Sequence, residues 1–149
     1  MGLKSINDKF SNTADRFQTI SWELLRIMSG LMMMVGHGYG KMFGEKKQPF
    51  TGGLDFFGLD VGINMLWIAG FIEFYVAILV VLGLFTRWAA LLTAILMVMA
   101  YLNSHLAWFP TFNGGELATV YFCVFIAIFA YGPGPFSLDA KIFGNKAGD

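Results

Sequence analysis

Four stretches of this chain are apolar for long enough to cross a lipid bilayer, which limits its folds more than any other feature. A helix spanning about 30 Å of hydrocarbon needs about 20 mostly apolar residues, and its backbone bonds must close within the segment. The stretches run from about Ile20 to Tyr39, Val61 to Phe85, Trp88 to Trp108 and Glu116 to Tyr131. The last is the shortest, and Pro133 and Pro135 stop it. Strands of alternating apolar and polar residues are absent, which argues against a β-barrel. The expected fold is an all-α membrane protein, a four-transmembrane-helix bundle with an interfacial outer loop between helices 1 and 2. Residues 1–19 read as a polar cytoplasmic N-terminal segment and 20–132 as the bundle. Residues 133–149 read as a cytoplasmic tail, with a short interfacial helix from Ser137 to Phe143.

Composition agrees with this reading. The chain is 56% hydrophobic and only 13% charged, against about 25% charged in an ordinary soluble domain. Ten basic and ten acidic residues cancel, so nothing marks a nucleic-acid partner. The single cysteine, Cys123, excludes an internal disulfide or a CxxC redox pair and reads as a small buried apolar residue. The first nineteen residues hold no apolar core followed by a small-residue cleavage site, so the first stretch is expected to be a retained span.

Four spans place both ends on one side. Lys4, Lys9, Arg16, Arg87, Lys141 and Lys146 then face Lys41, Lys46 and Lys47 across the membrane. The positive-inside rule puts both termini in the cytoplasm of a multi-pass protein of the bacterial inner membrane. The connection from Gly40 to Asp60 is long, and Phe43, Phe50, Phe56 and Phe57 suit it to the interface, where it would cap the bundle.

Charged side chains inside the spans are the main lead to function. Each costs about 2.5–3.5 kcal/mol at a bilayer centre unless it finds a partner. Eleven residues at about 100° each return close to the starting angle, so Arg26 and His37 share one face of the first helix, extended by Glu23 and Lys41. Gly70, Glu73 and Ala77 form a stripe on the second helix. Depth suggests two structural ion pairs, Arg26 with Glu73 and Glu23 with Arg87. The third helix brings Asn103, Ser104 and His105 to the outer side, where Asn113 is placed to cap the fourth helix and Glu116 sits in its first turn. His37, Lys41, His105 and Glu116 are therefore expected to line an outer mouth that can hold a quinone or another small ligand. Glu73, His37, His105 and Glu116 form its proton-exchanging wall. Two histidines and a carboxylate also suggest a metal set, but no ligand spacing within a helix supports one, so no metal is expected.

Several segments resemble the DoxX family of small bacterial membrane proteins. They are Leu24-Leu-Arg-Ile-Met-Ser-Gly30, His37-Gly-Tyr-Gly-Lys41-Met-Phe43, Glu73, Gly83-Leu-Phe-Thr-Arg87, Asn113-Gly-Gly-Glu116 and Gly132-Pro-Gly-Pro-Phe-Ser-Leu-Asp139. The resemblance covers about Ile20 to Asp139. It implies a four-helix membrane protein similar to the membrane subunit of a thiosulfate:quinone oxidoreductase. A quinone-linked or thiol/sulfur redox membrane component follows as an expectation, with no covalently bound cofactor, a quinone as the candidate ligand, and other membrane or redox proteins as partners. The chain carries no haem, iron–sulfur or flavin motif, so electrons would come from a partner. The alternative is a non-catalytic accessory or assembly subunit packed against a larger membrane complex. Passage of a solute or proton through the bundle is a third reading, weakened by the absence of an inverted repeat.

Overall fold

The computed structural model of the protein describes residues 2–53, 58–59 and 62–144, all-helical in its regular elements. Phe56, Phe57, Val61 and Lys146 lie outside the described residues.

The first helix is far longer than the expected span. α1 (Leu3–Met33) continues through a π-helical turn, Met34–Gly38, into α2 (Tyr39–Met42). After the long connection, α3 (Met65–Phe71) passes through a second π-turn, Ile72–Val76, into α4 (Ala77–Leu82). α5 (Thr86–Ser104) and α6 (Glu116–Tyr131) follow, and a six-residue α7 (Leu138–Phe143) closes the described chain. Ser137 accepts from Ala140 N at 3.1 Å, a side-chain cap that starts α7. Asn64 does the same for α3, accepting from Leu66 N at 3.0 Å.

α5 and α6 pack along their length, α1 packs on α4, and the two π-turns meet each other. The core between them is small-residue rich: Ala77, Val80, Ala89, Ala90, Ala94, Met33, Phe125 and Ile128 are buried. Small residues let helix backbones approach closely, which is how helices associate where lipid offers no hydrophobic drive. The tightest crossing is at Gly38, where a Cβ would come within 2.5 Å of Phe74 N and 2.6 Å of the Glu73 carbonyl carbon. Two helices, Met65–Leu82 and Thr86–Ser104, are long and apolar enough to cross a membrane, and α6 is a shorter apolar helix.

Two local expectations change. Cys123 is exposed on the outer face of α6 rather than buried. Asn113 does not cap α6: it ends a 3-10 turn, Pro110–Asn113, and Gly115 precedes the helix without a side-chain cap. The connection after α2 folds back on the helices, Phe43 packing edge-on against Phe74 and Phe50 against Trp67.

Candidate functional site

The buried charges form two groups at opposite ends of the helices, with partners other than those expected. Arg26 is fully buried. Its Nη2 donates to Glu23 Oε2 at 2.5 Å, and its Nη1 donates to the carbonyls of Val80 and Val81 at 2.7 Å each. Glu23 Oε1 accepts from Phe136 N at 2.7 Å. The expected Arg26–Glu73 pair does not form, because the helix register forbids it. Gly30 lies against Ala77 and Val81, and Gly38 lies against Glu73. Glu73 is therefore level with a residue twelve positions beyond Arg26, about 18 Å along the axis at 1.5 Å per residue. The expected Arg87–Glu23 pair is replaced as well. Arg87 Nη1 donates to the carbonyls of Phe129 and Ala130 at 2.6 and 2.7 Å, a cation on the carbonyl-rich end of α6.

Over Arg26 and Glu23 this end is closed by the segment after α6. A cleft of about 1080 Å³ beside that segment, bordered by Trp22, Phe85, Arg87, Tyr131 and Phe143, does not reach the buried pair. Trp22 Nε1 donates to Gly132 O at 3.1 Å. The Asp139 carboxylate accepts from Phe85 N, Thr86 N and the Thr86 hydroxyl at 2.8, 2.9 and 2.8 Å, which serves the free donors at the start of α5. Gly83 makes the turn between α4 and α5 with φ 67°, and a side chain there would meet Ser137 and Arg26. Asp139 had no assigned role in the sequence, although its place one residue inside α7 and two beyond Ser137 marks a capping segment.

The other end is open. Lys41 Nζ donates to both Glu73 oxygens, at 2.7 and 2.6 Å. Its stem runs over Gly70, which lets an ammonium on the first helix reach a carboxylate on the second. Glu73 is buried, whereas the Lys41 side chain stays 26% exposed. Beside this pair lies a cavity of about 400 Å³, within the size range of small-molecule sites. Met33, Met65, Leu66, Ala69, Leu96, Met97, Met99 and Ala100 give it apolar walls. Its polar groups are His37, Lys41, Glu73, Asn103, Ser104, His105 and Tyr121. Both π-turns face it. A π-turn swings side chains out of ordinary helical phase and recurs at functional sites, and here the two turns carry His37 and Glu73.

His37 meets Tyr121 edge to face, with ring centroids 5.7 Å apart. His105 Nδ1 lies 2.9 Å from the Asn113 carbonyl. A carbonyl only accepts, so Nδ1 is the donating nitrogen of this contact. Of the expected mouth, His37, Lys41, Glu73 and His105 line the cavity and Glu116 does not. The face of α6 turned to the cavity is Leu117, Ala118 and Tyr121, a helical stripe, with Gly114 just ahead of the helix. Glu116, one residue before Leu117, points about 100° or more away from that stripe and is exposed. Tyr121 was one of several available tyrosines in the sequence, and its phase with Leu117 and Ala118 is the signal that singles it out. Among the described residues no three of His, Cys, Asp or Glu converge as a metal site would require.

The DoxX family model matches residues 21–106, which hold Arg26, His37, Lys41, Glu73 and the Gly83–Arg87 turn. The chain belongs to the DoxX family. An uncharacterised protein of Haemophilus influenzae is 38% identical over 137 residues, covering 89% of this chain and 98% of the relative. No solved structure matches. Family membership and the apolar helices together make this DoxX protein a membrane protein. The match ends before Asn113-Gly-Gly-Glu116 and the Gly132–Asp139 segment, so those pieces of the resemblance rest on their own residues.

Proposed function

We propose that this DoxX-family protein crosses the bacterial inner membrane four times, with both termini cytoplasmic. Its cavity takes the ring of a quinone during thiol or sulfur redox chemistry shared with partner proteins. The observation that carries this reading is the composition of the cavity: apolar walls of Met, Leu and Ala, interrupted by His37, Glu73, His105 and Tyr121. That mixture fits a planar ring with polar carbonyls, where apolar walls supply contact and a few polar groups fix orientation. When bound, a quinone would accept electrons from a partner and protons from the site. The residues of this chain hold those protons. His37 and Tyr121 stand together at the wall, and the part-exposed Lys41 ammonium links the buried Glu73 carboxylate to water. The four-span topology is supported by the six cationic residues on the terminal side against three on the loop side.

Titration of a short-chain quinone analogue into the protein in lipid nanodiscs tests the reading. Saturable binding of one quinone per chain is expected, reduced in Glu73→Gln and His37→Ala. Only non-saturable partition into lipid would contradict it. The accessory-subunit reading is favoured by the outer aromatic group of Trp108, Phe109 and Phe112, whose rings lie within about 6 Å of one another and are exposed. A stoichiometric membrane partner lost in Trp108→Ala, with quinone binding absent, would select it.

A further inference from the structure

Beyond the expected first span, α1 continues back to Leu3 as an uninterrupted helix. Leu3, Ile6, Phe10, Phe17, Ile20 and Leu24 are all exposed on it, Leu3 at 88% and Phe10 at 75%. With Thr13 they fall at alternating spacings of three and four residues, three full heptads along about 32 Å of helix. This two-in-seven pattern is the narrow seam of a coiled coil. A helix lying on a bilayer surface instead shows a wider apolar face with period 3.6. A strict seven-residue repeat stays aligned only against another supercoiling helix, because a straight helix drifts about 20° per heptad.

We propose that this seam pairs with the same seam of a second copy, as a parallel two-stranded coiled coil that begins outside the membrane and runs into the first turns of the span. Copies of one membrane protein insert with the same orientation, so their N-terminal helices emerge side by side, parallel and in register. The flanking charges agree with that arrangement. Lys9 and Arg16 lie on one side of the seam, and Asn7, Ala14 and Ser21 on the other. In a parallel pair, Lys9 meets Ala14 of the second copy and Arg16 meets its Ser21, with no like charges opposed. An antiparallel pair would set Lys9 and Arg16 against each other. Asp8 and Asp15 point away from the seam. Thr13, the one polar seam residue, donates its hydroxyl to Lys9 O at 2.9 Å, so its methyl group meets the partner without leaving a polar atom unpaired. Three heptads are marginal alone, but confinement to one membrane raises the effective concentration of the two strands.

Single cysteines in the full-length Cys123→Ser chain, oxidised in membranes, test the proposal. Phe10→Cys and Thr13→Cys are expected to shift to twice the monomer mass, reversibly on reduction, while Asp8→Cys and Asp15→Cys stay at monomer mass. Equal crosslinking at all four positions, none at the seam, or a shift to another mass would overturn pairing with a second copy. The combined Phe10→Lys and Phe17→Lys variant, folded by circular dichroism, should run as a monomer in nanodiscs where the parent runs as a dimer. A persistent dimer in that variant would also overturn the proposal.

Discussion

Arg26, fully buried, is held by Glu23 and by two carbonyls of the facing helix, whereas Lys41 keeps a quarter of its side chain exposed and holds only Glu73. Around Arg26 the chain closes in: Phe136 N, Gly83 and Ser137 all meet the group or its neighbours. Around Lys41 it leaves about 400 Å³ bordered by two π-turns. A fully buried charge held by a carboxylate and by backbone carbonyls has no route to water or to a ligand, although Arg26 Nε itself has no hydrogen-bond partner among the described residues. A charge pair with one exposed member and a cavity beside it has both routes. Ion pairs inside a membrane protein are thus told apart by what surrounds them, since each pair is equally short.

The largest expected effect falls on the closed end. Arg26→Ala strands the Glu23 carboxylate and should cost about 3–5 kcal/mol in unfolding measured in detergent. Arg26→Met with Glu23→Gln should recover part of it, and a single variant as stable as its parent would erase the contrast between the ends. Gly38→Ala comes next, at about 1–3 kcal/mol, because its methyl group must push the Glu73 backbone away. Quinone-analogue binding should fall with it, which a titration alongside the thermal melt would read. Asp139→Ala removes the cap from the start of α5 and should cost about 1–2 kcal/mol with binding unchanged. Glu73→Gln should do the reverse. Lys41 can turn to water, so stability should change by about 1 kcal/mol or less while binding is reduced. Glu116→Gln, exposed and off the cavity face, should alter stability by no more than about 0.5 kcal/mol and leave binding intact.

Hydrophobic run length made the helices readable in advance, and α6 begins and ends at the residues expected, Glu116 and Tyr131. The helical extension of α1 back to Leu3 was not legible from run length, since polar residues between Leu3 and Phe17 break the apolar run without breaking the heptad. The gathering of His37, Lys41 and His105 was legible because helical phase and chain direction suffice for it. The ion-pair partners were not. They depend on the register of α1 against α4, which the close approaches at Gly30 and Gly38 set. Glu116 was misplaced for a related reason: depth put it at the mouth, but its angle around α6 turns it away from the stripe of Leu117, Ala118 and Tyr121.

Photolabelling with an azido-quinone in native membranes, followed by peptide mapping, tests the central claim most directly. The account predicts adducts on the cavity-lining segments around Met33–Lys41 and Met97–His105, lost in Ala100→Phe, which fills the space while sparing every polar group. Adducts that persist in Ala100→Phe, or that fall at random on lipid-facing residues such as Val120 and Cys123, would contradict it.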